Sequence, residues 1–357
     1  MRLSQIGELS LLEQIRKRFE KQSRTIIVGI GDDAAVLKQG DMTLLVTTDM
    51  MVEGVHFDLN FTTPFQIGFK LVSVNVSDIY AMGGKPRYLL LSLAMDKNTE
   101  KTFIDKFFDG VQRAIKLYGI SLVGGDLSSS KSLMSLSATL IGDTKRHIQR
   151  SGARVGDKIY VTGPLGDSAC GLMLLKKKIK RPIPFENSDT PTPPSPLKGE
   201  GKGGGKSRSP DLLTLCSELG LPWKVVEPLL KRHLMPGARD PKKFVRYATA
   251  MIDISDGLLI DLSRLCDESK VGARIYIEKI PVSHELKKTA SHLGIPPIKL
   301  ALSGGEDYEL LFTAPARKKV KSLHIGEITE SERVMIDSSG KKMIFAAKGY
   351  QHFGIQR

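Results

Sequence analysis

The strongest constraint on this chain is a carboxylate that recurs beside glycine or another small residue at the end of an apolar run. The segments are GIGDDAAV (29–36), LVTTDMMVEGVHF (45–57), VSDIYAMGG (76–84), LVGGD (122–126), IDISDG (252–257) and LSGGEDYEL (302–310). Short apolar runs that end in glycine or polar residues are typical of buried strands followed by loops. The recurrence therefore predicts a sheet-based fold with acidic loops at its strand ends.

Strand and helix patterns alternate along the chain, which predicts an α/β fold with mixed sheets. The pattern predicts strands near 24–30, 42–48, 87–95, 120–125, 133–142, 157–163, 249–255, 273–278 and 308–313. Residues 64–82 begin with proline after two threonines and end at a glycine pair, so we predict a helix there despite several β-branched residues. A second helix is predicted over 99–118, where Gly119 ends it.

The length of 357 residues favours two domains over one, and 41% of the residues are hydrophobic, enough for a substantial core. The polar segment 143–156 is a candidate domain boundary. Residues 181–210 are rich in proline, glycine, serine and lysine, so we predict a disordered insertion there. Its segment EGKGGGKS resembles a phosphate-binding P-loop, but Glu200 stands where that pattern requires glycine and no strand precedes it.

The formal net charge of +14 is compatible with nucleic acid, phosphorylated small molecules or a merely basic surface. The chain has no zinc-finger spacing and no aromatic-rich RNA-binding motif, so we predict no nucleic-acid partner. Its three cysteines match no metal or redox spacing. The sequence has neither an apolar run of about 20 residues nor the features of a signal peptide, which predicts a cytoplasmic protein without membrane contact.

Six aspartates lie beside glycine, serine or threonine in settings typical of ligands for hard cations such as Mg²⁺: Asp33, Asp49, Asp78, Asp126, Asp253 and Asp256. Any one alone is better explained as a turn former or helix cap, but six together favour a metal site. If GDD continues a strand, Asp32 and Asp33 point to opposite faces. By the same alternation Thr47 and Asp49 share a face, and Thr48 offers its carbonyl or turns away.

The glycines beside these acids point to a phosphate ligand. Glycine lets backbone N–H groups approach a phosphate closely in VGGD and LSGGED, and the helix that follows Ser255 offers its N-terminus. Carboxylates repel phosphates unless they hold cations. The acidic loops of a basic protein are therefore expected to bind cations, which in turn bind a polyphosphate.

Together and in this order, the motifs resemble those of the thiamine-monophosphate kinase family, in the superfamily named after aminoimidazole ribonucleotide synthetase. They are GIGDDAAV, TTDMMVEGVHF, VNVSDIYAMGGKP, LVGGD, RSGARVGDKIYVTGPLGDSACGL, IDISDGLLIDL, LSGGEDYELLFT and KGYQHF. The resemblance covers nearly all of the chain except the insertion. It implies an ATP- and metal-binding domain over 1–148 that dimerises through its sheet, a second domain over 149–357, and active sites at the junction of the two.

The resemblance also implies ATP-dependent phosphorylation of thiamine monophosphate to thiamine diphosphate, with several Mg²⁺ ions and no catalytic base or covalent nucleophile. The metal ligands it implies are Asp33, Thr47, Thr48, Asp49, Asp78, Asp126, Asp253 and Asp256. The nucleotide contacts it implies are Gly125, Asp126, Arg150 and Ser255, and the substrate contacts are His56, Glu306 and Tyr350. An aromatic contact near the nucleotide stays open among Phe107, Phe108 and Tyr118.

Several alternatives share this fold. A selenophosphate synthetase needs a nucleophile near the N-terminus, whereas the first cysteine here is Cys170. The hydrogenase-maturation relative ends in a reactive cysteine, whereas this chain ends in FGIQR. The purine cyclo-ligase shares the ATP–metal arrangement but not the pairing of TTDMMVEGVHF with GGEDYEL. A non-catalytic nucleotide- or metal-binding regulator is the alternative from another class.

Overall fold

The computed structural model describes residues 3–19, 23–178, 216–217, 220–347 and 349–352. Within these ranges the strands form two sheets, of six and seven strands. The last strand of the first sheet ends at Asp143, and the first strand of the second begins at Asp157. The predicted domain boundary at 148/149 falls in the segment between the two sheets, and it stays a prediction.

The first sheet is mixed and is covered by helices on one face. It contains β1 (Ile26–Val28), β2 (Ala35–Gln39), β3 (Met42–Val52), β4 (Lys85–Met95), β5 (Ser121–Ser129) and β6 (Ser135–Asp143), in the order β1-β2-β3-β6-β4-β5. Neighbours are antiparallel except β4 and β5. The helices of this half are α1 (Leu3–Ile6), α2 (Glu8–Phe19), α3 (Pro64–Ala81) and α4 (Lys101–Tyr118). Helix α3 packs on the sheet and α4 packs on α3, which encloses one core cluster.

The second sheet is also mixed. It contains β7 (Asp157–Val161), β8 (Ala250–Ile254), β9 (Gly272–Tyr276), β10 (Glu309–Pro315), β11 (Leu323–Thr329), β12 (Arg333–Ile336) and β13 (Lys342–Ile344), in the order β13-β12-β9-β11-β7-β10-β8. Only β9 and β12 pair in parallel among the described residues. The helices are α5 (Asp167–Lys178), α6 (Trp223–Leu234), α7 (Leu258–Ser269), α8 (His284–His292) and α9 (Pro297–Ser303).

Helix α3 connects the two halves of the molecule. Thr63 accepts a hydrogen bond from the backbone N–H of Gln66, and the Gln66 side chain accepts one from Thr63 N–H, so a capping box begins the helix. Nearly every α3 residue is buried, because the helix contacts the first sheet, α4, and both β8 and α6 of the second half. A helix buried on nearly all sides carries apolar residues on every face, which accounts for its many β-branched residues, and its buried polar side chains need partners within the protein.

The other face of the first sheet is uncovered in the single chain. Side chains that point away from the helices include Met50 on β3 and Tyr88 on β4, and both are more than half exposed. The edge strand β5 exposes Val123 and also Leu127, the latter to 73%, although Leu127 is in register with the buried Leu93 and so lies on the helix side of this edge. Exposed apolar side chains beside an unpaired sheet edge are typical of a protein–protein interface.

The predicted fold class is confirmed, and so are the helices at 64–82 and 99–118, which the structure has at 64–81 and 101–118. The prediction omitted β2, β11, β12 and β13. The GDD segment does not continue a strand, because β1 ends at Val28, so the condition for opposite faces is not met. The carboxylates of Asp32 and Asp33 both face the Arg150 guanidinium, at 3.9 and 2.5 Å. The predicted insertion at 181–210 lies outside the described residues. No helix among those described is long and apolar enough to span a membrane.

Candidate active site

Three carboxylates from different elements converge between the two sheets. Asp33 lies in the loop after β1, Asp78 in the last turn of α3, and Asp253 in β8 of the second sheet. One carboxylate oxygen from each lies within 4.8 Å of those of the other two. Residues separated by 220 positions in the sequence therefore form one acidic cluster to which both halves of the molecule contribute.

Each carboxylate of this cluster is held by a neighbouring side chain. The Thr47 hydroxyl donates to Asp78 Oδ2 at 2.6 Å, and the Ser77 hydroxyl donates to Asp253 Oδ2 at 2.7 Å. The Arg150 guanidinium donates to Asp33 Oδ1 at 2.5 and 3.2 Å. Asp33 Oδ2 is buried and has no hydrogen-bond partner in the protein. A buried carboxylate oxygen without a donor is costly, so this atom indicates a ligand.

The cluster is electrostatically unfavourable without a cation. Burial raises the pKa of Asp78 well above its usual range, and the carboxylates of Asp49 and Asp253 raise it further. Burial and the nearby Asp33 carboxylate likewise raise the pKa of Asp253. Like charges at such distances stay ionised together only if a cation is shared between them. The all-oxygen donor set is the one that hard divalent cations prefer, so the residues present fit Mg²⁺.

Two more of the predicted ligands lie beside the cluster. Burial raises the pKa of Asp49 to about 6, and the carboxylates of Asp256 and Asp33 contribute to the rise. The backbone N–H of Asp49 donates to the Asn75 side chain, which fixes β3 against α3. Asp256 Oδ2 accepts a 2.6 Å hydrogen bond from Arg264. Five of the six predicted aspartates, all except Asp126, thus lie close enough to influence one another's pKa.

The two predicted threonines differ. The Thr47 side chain is buried and faces the cluster, as the strand alternation predicts. The Thr48 hydroxyl lies on the opposite face, where it donates to the carbonyl of Ala138 at 3.1 Å. Thr48 therefore has only its carbonyl to offer a cation, and its assignment as a ligand stays a prediction.

Asp126 is not brought to the cluster within one chain. It is in register with Ser92, Ser137 and Met50 across four strands, the row that faces away from α3. Three strand spacings separate β5 from β3, about 14 Å at the usual 4.8 Å per strand. Gly125 precedes it, where a Cβ would lie 1.9 Å from the Leu91 carbonyl oxygen, so only glycine fits. Both residues border the uncovered face of the sheet.

The other two predicted nucleotide contacts adjoin the cluster. Arg150 is bound to Asp33, and its own carbonyl accepts a hydrogen bond from Ser269 on α7. Ser255 lies two residues after Asp253, and its carbonyl accepts the N–H of Glu306 at 2.6 Å. The segment Ser255–Gly257 precedes α7, whose N-terminus lies on this side. Here the Asp261 carboxylate accepts the N–H groups of residues 256 and 257 at 3.1 Å.

The predicted substrate residues His56 and Glu306 come from different halves but share one partner. The ammonium group of Lys70 donates to the Glu306 carboxylate at 2.8 Å and to the His56 carbonyl at 3.3 Å. Nδ1 of His56 accepts the Val52 N–H at 3.0 Å, so a neutral ring carries its proton on Nε2. Burial lowers the pKa of His56, which favours that neutral form.

The third predicted substrate residue, Tyr350, lies close to the same place. Its N–H donates to the Asp256 carbonyl at 3.1 Å, which anchors the C-terminal segment to the acidic loop. The His352 ring lies 5.0 Å from both the Tyr350 ring and the His56 ring. The three aromatic rings offer flat faces of the kind that stack on a heterocycle.

Sequence reasoning missed the side chains that hold these groups: Lys70 and His233 at Glu306, Ser77 at Asp253 and Asn75 at Asp49. Lys70 left a signal, because it is the single charged residue in the apolar first three turns of α3. Tyr118, one of the three aromatics left open, donates to or accepts from Ser73 and accepts the Ala238 N–H. The position of the nucleotide-side aromatic stays open.

The fold and the site at the junction of its halves define the class of protein. The N-terminal domain of AIR synthase related proteins matches residues 31–144, and the C-terminal domain matches residues 219–338. The chain is thus an AIR synthase related protein with both domains of that class.

Comparison with individual proteins narrows the class. A thiamine-monophosphate kinase of Aquifex aeolicus (strain VF5) is 38% identical over 358 residues, which cover 99% of this chain and 100% of the relative. One from Buchnera aphidicola subsp. Schizaphis graminum is 34% identical over 97% of the chain and 99% of the relative. The solved structure of AaThiL complexed with AMPPCP and TMP has a TM-score of 0.78, with 35% identity and 99% coverage of both chains. This chain belongs to the thiamine-monophosphate kinase family, as the motifs predicted.

Proposed function

We propose that the protein transfers the γ-phosphoryl group of ATP to thiamine monophosphate and so forms thiamine diphosphate. The observation that carries this proposal is the acidic cluster of Asp33, Asp78 and Asp253, which only the two halves together can form. The AaThiL relative, solved with AMPPCP and TMP, supports both co-substrates. The chain is therefore a kinase whose acceptor is itself a phosphate.

The carboxylates of the cluster would hold several Mg²⁺ ions, with Asp49 and Asp256 as further ligands at its edge. Divalent cations bound there supply positive charge that offsets the repulsion between two phosphates and stabilises the transferring group. The buried Asp33 Oδ2 supports this role, because no protein donor satisfies it. Thr47 and Ser77 orient the Asp78 and Asp253 carboxylates.

Direct transfer requires no catalytic base. The second pKa of a phosphate monoester is about 6, so thiamine monophosphate is largely dianionic at neutral pH and its oxygen is already a nucleophile. The chain's task is to hold that oxygen in line with the γ-phosphorus at about 3–3.5 Å. His56, Glu306 and Tyr350 would bind the organic part of the acceptor, while Arg150 and Ser255 would bind the nucleotide. No phosphorylated enzyme intermediate is expected.

The uncovered face of the first sheet supports a homodimer. Val123 and Leu127 on the edge strand and Met50 and Tyr88 on the face are apolar and exposed, and burying them against a second copy would stabilise the pair. Asp126 lies on this same face, out of reach of its own chain's cluster. In a dimer that buries the face, Gly125 and Asp126 would lie close to the partner and could complete its nucleotide site.

The experiment that tests this function is transfer of phosphate from ATP to thiamine monophosphate, with product mass as the readout. We expect a product heavier by one phosphate with Mg²⁺ and none with a chelator. Offering the purine-pathway substrate in parallel tests the cyclo-ligase alternative. ATP binding without turnover of either substrate, together with salt-sensitive affinity for DNA or RNA, would instead favour the non-catalytic regulator.

A further inference from the structure

Lys70 is an unusual residue for its position. It lies in the second turn of α3 among apolar neighbours, and only 4% of its side chain is exposed. Burying an ammonium group is costly unless it is paired and hydrogen-bonded. Its two acceptors are the Glu306 carboxylate, at 2.8 Å, and the His56 carbonyl, at 3.3 Å. A single buried cation thus joins a residue of the first half of the chain to a residue of the second.

Glu306 is held at both carboxylate oxygens and at its backbone N–H. Its second carboxylate oxygen accepts from Nδ1 of the buried His233 at 2.9 Å. Its backbone has a φ of 64°, a left-handed conformation that is unfavourable for a residue other than glycine, and its N–H is bound to the Ser255 carbonyl. Strain of this kind persists only where the surroundings fix it. Lys70 and His233 therefore determine where the carboxylate points.

The held carboxylate can still bind a ligand. Its side chain is 26% exposed, and each oxygen keeps a second lone pair after one hydrogen bond. Burial alone would raise the pKa of Glu306, but the Lys70 ammonium group and the His233 ring outweigh it and hold the pKa well below its usual range. The carboxylate is therefore ionised and only accepts hydrogen bonds. Neutral His56 offers an N–H donor on Nε2. An aminopyrimidine ring, with an amino donor beside a ring-nitrogen acceptor, matches this acceptor and donor.

From this geometry we infer that Lys70, with His233, is a positioning residue for the organic part of the acceptor substrate. It spaces Glu306 and His56 across the junction of the two halves without touching the phosphates. The inference rests on the proposed function. It assigns to Lys70 an effect on acceptor binding and none on nucleotide binding, since the Asp33–Asp78–Asp253 cluster does not contact it.

The test compares Lys70→Met, which keeps the length of the side chain but removes the charge, with Lys101→Met. Lys101 is an exposed residue of α4 paired with Asp105, so the control should match the wild type. For Lys70→Met we expect the KM for thiamine monophosphate to rise tenfold or more, with the KM for ATP changed less than threefold. An unchanged KM for thiamine monophosphate, or an equal rise in both KM values, would overturn the inference.

The double variant Lys70→Met/Glu306→Gln guards against misfolding, because it removes the buried charge together with its partner. If Lys70 acts through Glu306, the double variant has the same KM for thiamine monophosphate as Glu306→Gln alone. A further tenfold loss in the double variant would contradict that role. Calorimetric titration with unphosphorylated thiamine separates this inference from the proposed function, since weaker binding to Lys70→Met than to wild type is expected whether or not phosphate transfer occurs.

Discussion

Asp78 is the residue whose chemistry conflicts most with its surroundings. It lies among three other carboxylates in a buried site, and its raised pKa records the cost of ionising it there. We expect Asp78→Asn to lower turnover by orders of magnitude, because an amide cannot replace a carboxylate as a ligand for Mg²⁺. Without metal the same variant should be at least as stable as wild type, because it relieves the repulsion.

The matched control is Asp109→Asn, which changes an exposed aspartate on α4 that pairs with Lys106. Steady-state rates at saturating Mg²⁺ and thermal unfolding in a chelator measure the two effects. Near-normal turnover of Asp78→Asn would show that Asp78 is not a metal ligand of the active site. A large loss of stability would show that its role is structural.

Individual residues could be predicted only where a motif names them. The acids and small residues of GDD, VSDIY and IDIS indicated ligands, and their Asp33, Asp78 and Asp253 do converge. The sequence could not show that Asp126 lies across the sheet from them, because that depends on strand order. Nor could it show Lys70 bound to Glu306, since that contact depends on how two halves far apart in sequence pack together.

Helices α3 and α4 cross with their backbones in contact at two glycines. A Cβ on Gly68 would lie 2.1 Å from the Phe107 carbonyl oxygen, and one on Gly110 would lie 1.9 Å from that of Phe65. We expect Gly68→Ala to destabilise the protein by about 3 kcal/mol, at the upper end for overpacking, because backbone cannot move aside as a side chain can. Chemical denaturation measures the change: the midpoint of unfolding should fall while the slope m stays equal to that of the wild type.

Gly237→Ala serves as the control for this variant, since a Cβ there meets nothing within 4 Å and the backbone does not require a positive φ. Its stability should stay within about 0.5 kcal/mol of wild type. If Gly68→Ala were as stable as Gly237→Ala, α3 and α4 would not cross with their backbones in contact at Gly68.

Elements with strong end signals were predictable, and weak ones were not. Pro64 and the glycines after residue 82 mark both ends of α3, and Gly119 marks the end of α4 with a left-handed φ of 67°. Strands β12 and β13 have only four and three residues, mixed in polarity, so no periodicity distinguishes them from loops. Strand β12 forms by pairing with β9, a contact that local sequence does not encode, and β13 adds to the sheet by pairing with β12.

The whole molecule should be stabilised by Mg²⁺ to a degree that depends on pH. The pKa of Asp49 is raised from 3.8 to about 6 and that of Asp32 to about 7, so the folded state keeps protons that the unfolded chain releases. Stability contributed by these groups is present near pH 4 and is lost as pH rises towards 7. Metal competes with the proton on Asp49, the proposed ligand of the two, so its affinity increases over the same interval.

The measurement is the difference in Tm between protein with Mg²⁺ and protein with chelator, from pH 5 to 7.5. We expect this difference to grow with pH, and to be much smaller in Asp78→Asn. Taking the difference cancels histidines such as His233, whose lowered pKa contributes equally to both samples. A difference that is independent of pH would mean that the raised carboxylates do not bind the metal.

Association through the first sheet is a further property of the whole molecule. Val123→Lys places a charge on the exposed edge strand, away from the Asp33–Asp78–Asp253 cluster. We expect wild type to sediment as a dimer and Val123→Lys as a monomer, because burying an unpaired charge opposes association. Turnover should fall with dissociation if Asp126 acts on the partner. A monomeric wild type with full activity would contradict both expectations.

The most direct test of a shared metal site is Mn²⁺ binding to protein saturated with a non-hydrolysable ATP analogue, measured by calorimetry. The variants are Asp78→Asn from the first half, Asp253→Asn from the second, and the two combined. If the two carboxylates share their ions, each single variant should lose at least tenfold in Mn²⁺ affinity. The double variant should then lose less binding free energy than the sum of the two single losses. Wild-type affinity in Asp253→Asn, or fully additive losses, would mean that the two halves bind metal separately.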